Sequence, residues 1–276
     1  MDTNAQILTS FDGIQLYTHN WSAEKPRAVV LLIHGFGEHI HRYNHLAAFL
    51  NSNGIAVVGM DSRGHGRSTG QRGHAPNYDA YMKDVEQFTT YGKSLYPNVP
   101  SIIYGHSMGG NLVLNFITRY KGRFDAAVVT SPWIQTATPI SKATIFINRI
   151  VSKIFPKLSV DTKLNADFIS TDKEVVKAYM NDPLVQGKMS AGSGIGVIEA
   201  AEYLNTFSGT IAMPLLIMHG TDDKLISHDA AKAFSERVKG DITFKSFEGM
   251  YHETHNEPHK LEVFYFLLGW INSKIS

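Results

Sequence analysis

The residues best placed to do chemistry lie in Ile103-Tyr104-Gly105-His106-Ser107-Met108-Gly109, where an apolar run ends abruptly in the pattern G-x-S-x-G. A serine hydroxyl is a weak nucleophile near neutral pH, so the pattern matters only if a base removes its proton. On a sharp strand-to-helix turn Ser107 takes strained backbone angles, and small neighbours two residues away let strand and helix come close. Such a turn lifts Oγ clear of the backbone. It also leaves the Met108 N–H at a helix N-terminus, where developing negative charge is stabilised. The chemistry implied is attack on an acyl carbonyl.

In this arrangement an acid and then a histidine follow the serine along the chain. Gly220-Thr221-Asp222-Asp223-Lys224 follows the apolar run PLLIMH, and Glu248-Gly249-Met250-Tyr251-His252 follows the last expected strand. His252 would take the Ser107 proton and return it to the leaving group. Asp223 would fix the imidazole tautomer, with Asp222 capping or bracing the loop. The plain alternative is that both aspartates form a polar turn.

With 13 histidines other choices arise: His255 and His259 lie near His252, and His34, His39, His41 and His45 cluster upstream. HETHNEPH lacks the H-E-x-x-H spacing, so these read as surface or supporting histidines rather than metal ligands. Neither a metal nor an organic cofactor is expected. A second oxyanion donor is expected after the third strand, where His34-Gly35-Phe36-Gly37 can present the Phe36 N–H toward the same point as that of Met108. His34 reads as a brace for this loop.

Those loops need strands to carry them. QILTS (6–10) and IQLYTHNW (14–21) flank the hairpin signal Asp12-Gly13. AVVLLI (28–33), IAVVGM (55–60), SIIYGH (101–106), AAVVTS (126–131), PLLIMH (214–219) and TFKSF (243–247) suit parallel strands covered on both faces. Helix-length segments near 41–52, 79–95, 107–121, 228–238 and 259–273 alternate with them. The pattern is an α/β chain with an open, mostly parallel eight-stranded sheet flanked by helices.

The stretch from Ser131 to Pro214 is too long for a bare loop in a compact domain, so it reads as a helical cap insertion. The expected division is a core of 1–131 and 210–276 and a cap of 132–209. Within the cap, Ile140, Ala143, Ile147, Ile150, Val151 and Ile154 share one helical face, with Lys142, Arg149, Lys153 and Lys157 on the other. SAGSGIGV (190–197) reads as a mobile glycine-rich segment without the dinucleotide spacing G-x-G-x-x-G. DSRGHGRS (61–68) is no P-loop and reads as a tight structural loop at the rim of the site.

Composition narrows the class. Of 276 residues 43% are hydrophobic and 18% charged, and Lys+Arg at 26 against Asp+Glu at 25 gives no basic excess to attract nucleic acid. No run reaches the roughly 18 apolar residues of a membrane span, and the first residues lack a secretory pattern. With no cysteine there are no disulfides and no thiolate chemistry. A cytoplasmic location is the simplest expectation.

HGFGEHIHRY (34–43), DSRGHGRS (61–68), GHSMGG (105–110), NDPL (181–184), GTDDKL (220–225) and EGMYHETHNE (248–257) together resemble the monoacylglycerol lipase family of α/β-hydrolases, also described as lysophospholipase-like. The resemblance runs nearly end to end. It implies an α/β-hydrolase fold, a triad of Ser107, Asp223 and His252, and oxyanion donors at Phe36 and Met108. It places Glu38, Arg42 and His255 near the polar end of the pocket, where a glycerol headgroup would sit. The implied reaction is hydrolysis of a monoacylglycerol ester, with lysophospholipase, short-chain carboxylesterase or serine peptidase as alternatives on the same scaffold. A non-catalytic ligand-binding protein is a remoter one. Phe36 is bulkier than the small residue of some members, and the cap is the least family-like part. For the cap helix the resemblance leaves two readings. Either it lies at a membrane surface and feeds an acyl chain inward, or its apolar stripe packs on the core and its lysines are solvated.

Overall fold

The computed structural model describes residues 4–120 and 123–275. Strands β1 (Ala5–Thr9) and β2 (Gln15–Trp21) form the expected hairpin, and β3 (Ala28–Ile33), β4 (Ile55–Met60), β5 (Ser101–His106) and β6 (Ala126–Thr130) follow. Helices α1 (Asn44–Ser52), α2 (Tyr78–Leu95) and α3 (Met108–Arg119) connect them. The expected helix over 107–121 ends at Lys121, which lies outside the described residues.

After β6 come α4 (Lys142–Ile154), β7 (Ser159–Asp161), α5 (Lys173–Asn181), β8 (Lys188–Ser190) and α6 (Ala191–Thr206). The chain then closes with β9 (Leu215–Gly220), α7 (His228–Arg237), β10 (Ile242–Phe247) and α8 (Lys260–Lys274).

The eight-stranded sheet runs β1-β2-β4-β3-β5-β6-β9-β10. β1 and β2 are antiparallel to each other, β2 is antiparallel to β4, and every other pairing is parallel. This is the expected α/β-hydrolase architecture. β3 shows why its run is continuously apolar: all six residues are buried. Val29, Leu31 and Ile33 face the layer that includes Phe88 of α2 and Val113 of α3. Val30 and Leu32 face Leu50 of α1 and Leu267 of α8. Alternate residues thus serve opposite layers, as the period of two requires.

Two cap expectations change. The glycine-rich 190–197 is no mobile loop. Ser190 caps α6 by accepting from the Ser193 N–H, and Ile195, Val197, Ala200 and Leu204 are buried. Small residues let α6 approach its neighbours, with Gly192 against Pro156 and Gly196 against Tyr78.

Helix α4 does not bury its stripe in the core either, since none of its residues is buried. Thr144, Asn148 and Val151 line a cavity, while Phe146, Ile147, Ile150 and Ile154 face outward and are exposed. The inner face is of mixed polarity and borders a cavity rather than meeting a packed core, while the apolar side chains gather on the outer face. Among the described residues no helix is long and apolar enough to cross a membrane.

Candidate active site

Ser107 stands between β5 and α3 with φ 53° and ψ −115°, a backbone conformation L-residues rarely adopt. Its flanking glycines are sterically required. A Cβ at Gly105 would collide with the backbone of Gly109, and one at Gly109 with the backbone oxygens of Ile33 and His34. The Ser107 side chain makes no capping bond to α3, so its hydroxyl is not spent on the helix it precedes. Met108 opens that helix, whose first N–H groups have no intrahelical acceptor.

Asp223 and His252 arrive from the loops after β9 and β10. His252 Nδ1 lies 2.7 Å from Asp223 Oδ2, and His219 Nε2 lies 2.9 Å from the same oxygen. The other carboxylate oxygen accepts from the Leu225 N–H at 2.8 Å and the Ile226 N–H at 2.9 Å. Since an ionised carboxylate only accepts, His252 carries its proton on Nδ1 and presents the Nε2 lone pair. Asp222, one residue earlier, is exposed and accepts from Thr221 Oγ1. Ser131, itself at φ 42°, donates to the His252 carbonyl at 2.7 Å and ties the histidine loop to β6.

Burial alone would raise the Asp223 carboxyl, but the adjacent His252 charge and the two histidine hydrogen bonds hold it far below the carboxylate range. Burial likewise disfavours a charged His252, yet the Asp223 carboxylate outweighs it and lifts the imidazole above its ordinary value. His106, packed with its ring centroid 4.8 Å from that of His252, is pushed well down by burial and stays neutral.

The expected oxyanion loop follows β3. A Cβ at Gly35 would lie 3.1 Å from the Ser107 Cβ, so this backbone passes directly over the serine. His34 accepts from the Ser62 N–H at 2.9 Å and its Nδ1 bonds the Gly35 carbonyl at 2.6 Å, so it does brace the loop. Among the described residues no acceptor is paired with the Phe36 N–H.

Gly35, Phe36, Glu38, Ser107, His252 and Glu253 line one end of a cavity of about 540 Å³. The rest of its wall is largely apolar, with Val151, Leu158, Phe168 and Ile198 among its residues.

The three residues assigned to a headgroup site by resemblance separate here. Glu38 lines the cavity, whereas Arg42 and His255 stand behind its wall. Arg42 bonds Glu38 Oε2 at 3.0 Å and both oxygens of Glu253 at 2.5 and 2.7 Å, and it lies over the Tyr179 ring. Burial pushes the Glu38 carboxyl up, with Arg42 opposing. His255 is fully buried and stacked on Tyr43 at 4.5 Å, and among the described residues neither ring nitrogen has a hydrogen-bond partner. Burial therefore keeps it neutral.

Glu253 and His219 were not singled out from the sequence. The signal for Glu253 was its place beside His252 in HETHNEPH. For His219 it was a polar residue closing an otherwise apolar strand.

Residues 24–259 match the family described as serine aminopeptidase, S33. The chain is 34% identical over 266 residues to a monoacylglycerol lipase of Mycolicibacterium smegmatis, covering 95% of each protein. It is 35% identical over 279 residues to an uncharacterized abhydrolase domain-containing protein of Dictyostelium discoideum, of whose length it spans 30%. The crystal structure of a Paleococcus ferrophilus monoacylglycerol lipase superposes with a TM-score of 0.86 at 28% identity, covering 94% of this chain and 99% of that one. The chain thus belongs to the serine aminopeptidase, S33 family of α/β-hydrolases, among relatives that include monoacylglycerol lipases.

Proposed function

We propose that this chain is a serine hydrolase that cleaves the ester bond of monoacylglycerols to fatty acid and glycerol. The observation that carries the reading is the Asp223–His252 pair at 2.7 Å, opening onto the cavity that Ser107 also lines.

Ser107 Oγ attacks the acyl carbonyl while His252 Nε2 takes its proton, and the new oxyanion accepts from the Phe36 and Met108 N–H groups. His252 then protonates the departing glycerol oxygen, and the acyl chain remains on Ser107 as an ester. Water, deprotonated by the same imidazole, attacks that ester. The proton returns to Ser107 as the fatty acid leaves.

The cavity volume of about 540 Å³ falls in the ~300–1,000 Å³ range of small-molecule sites, and its apolar wall suits one acyl chain. The carboxylates of Glu38 and Glu253 supply acceptors for hydroxyl groups at the polar end. A core of 1–131 and 210–276 carries the catalytic loops, and a cap of 132–209 roofs the chain-binding part.

The cap also supports contact with a lipid surface. Phe146, Ile147, Ile150 and Ile154 form an exposed apolar face, continued by Phe155, with Lys142, Lys153 and Lys157 exposed beside it. Such a helix lies in the interfacial plane, its lysines near lipid headgroups.

A fluorophosphonate probe is expected to label the wild-type serine and leave Ser107→Ala unlabelled. Equal labelling of the two proteins would overturn the assignment. Rates on monoacylglycerols, lysophospholipids, short p-nitrophenyl esters and aminoacyl amides separate the proposed substrate from its alternatives, including the peptidase activity in the family description.

A further inference from the structure

The NDPL segment (181–184) stands apart from the chemistry described so far, yet its surroundings give it a role. The oxyanion loop is gripped from the core side by Glu38, which accepts from the Gly35 N–H and from the Tyr43 hydroxyl, each at 2.7 Å. It is gripped from the cap side as well. The Gln186 N–H donates to the Gly37 carbonyl at 2.9 Å, and a Cβ at Gly37 would stand 2.5 Å from the Gln186 carbonyl oxygen. Gly37 has φ 78°, so position 37 combines a left-handed backbone with a contact that leaves no room for a side chain.

Two residues further on, His39 Nε2 lies 2.9 Å from Asp182 Oδ2, with their side chains 6% and 27% exposed. Asp182 directly follows α5 as its C-cap, and its other oxygen accepts from the Leu184 N–H at 2.8 Å, which fixes the carboxylate toward His39. His39 Nδ1 is buried without a partner, so Asp182 is the only side chain holding this ring by a hydrogen bond among the described residues.

We propose that the cap segment Asp182–Gln186 is the outer clamp of the oxyanion loop, and that Asp182 is a positioning residue for acyl transfer. Phe36 sits between Gly35, held by the core, and Gly37, held by the cap, so both grips set the direction of its N–H. The cap is then no free lid over the acyl chain. Lifting it at Asp182 also loosens the donor that must meet the transition-state oxygen. The inference rests on the serine hydrolase reading above.

The test compares wild type, Asp182→Asn and His39→Asn, with Ser107→Ala as the check on the underlying reading. Kinetics on a short p-nitrophenyl ester and on a monoacylglycerol are read beside two affinities. One is for an alkyl boronic acid, whose tetrahedral adduct on the serine carries negative charge. The other is for a non-hydrolysable ether analogue of a monoacylglycerol, which places no charge in the oxyanion hole.

Loss of one oxyanion donor outright lowers kcat by ~10²–10³, so a loosened donor is expected to cost about ten-fold in kcat on both esters, with KM changed little. Boronic acid affinity is expected to fall in parallel while ether affinity holds. His39→Asn reads the same tie from its other end, and serves if Asp182→Asn fails to fold. An unchanged kcat in a folded variant would overturn the clamp, as would equal losses for the ether and the boronic acid. Activity retained by Ser107→Ala would instead overturn the hydrolase reading, and the clamp with it.

Discussion

Asp223 Oδ2 receives two imidazoles at once, His252 at 2.7 Å and His219 at 2.9 Å, while the other oxygen takes two backbone N–H groups. Four donors fix one carboxylate in position and charge. It can therefore hold the His252 proton on Nδ1 without taking it, which a base serving Ser107 requires.

Removing that charge gives the sharpest kinetic expectation. Asp223→Asn keeps the shape but can present an N–H to His252 and stabilise the wrong tautomer. On the proposed mechanism kcat is expected to fall by about 10⁴ with the fold intact. Steady-state kinetics beside circular dichroism check this, and a loss under ten-fold would remove Asp223 from the mechanism.

The pH profile follows from the direction of the His252 shift. The base must be neutral, and the buried carboxylate beside it favours the charged form strongly enough to raise its pKa above 6.5 despite burial. The kcat/KM of the free enzyme is therefore expected to rise with pH through a midpoint above that value. In Asp223→Asn the favouring charge is gone, so the residual activity should show its midpoint displaced toward lower pH. A profile flat from pH 5 to 9 would argue against a histidine base.

Arg42 bonds two buried carboxylates, Glu38 and Glu253. Arg42→Ala leaves both without their cation, and breaking a buried pair in this way costs about 3–5 kcal/mol. Urea unfolding near pH 7 is expected to show a loss of that size. Burial already pushes the Glu38 carboxyl up and Arg42 opposes it, so without Arg42 it is protonated more easily and the loss should shrink as the pH is lowered. A loss below ~1 kcal/mol would show the cluster to be better solvated than its burial implies.

Gly109→Ala tests the elbow itself. The added methyl meets backbone oxygens of Ile33 in β3 and of His34 in the loop after it, which cannot turn aside as a flexible side chain would. We expect a loss of stability of about 3 kcal/mol or more, at the severe end of the range for single substitutions. Thermal unfolding measures it; a melting temperature equal to wild type would refute the steric account.

The outer face of α4 makes a separate expectation. Ile147→Ser with Ile154→Ser removes two exposed apolar side chains, 57% and 62% accessible, so stability should change little. Co-sedimentation with vesicles containing anionic lipid should weaken several-fold, and KM for vesicle-borne monoacylglycerol should rise. Rates on a soluble short ester should stay the same. Unchanged vesicle binding would exclude this face as the contact.

The alternation of apolar runs with helix-length segments, the turn at Ser107 and the long insertion after β6 were all legible in the sequence. Each follows from side-chain period or local sterics within a few residues. Gly105 and Gly109 illustrate this, because the contacts that demand them arise wherever a strand turns sharply into a helix.

Other features depended on residues far apart in the chain meeting in space. Nothing local distinguishes Asp222 from Asp223; the loop turns one toward solvent and the other toward His252. Glu253 meets Arg42 only because the fold brings together residues 211 positions apart. His219 reaches Asp223 within four residues, and only the arrival of His252 at the same oxygen is tertiary. The glycines of 190–197 suggested mobility until α6 packed closely against Pro156 and Tyr78. The stripe of α4 could not reveal that part of it would face a cavity and part would face outward. Sequence periodicity records which side chains share a face, but only the packed chain decides what that face meets.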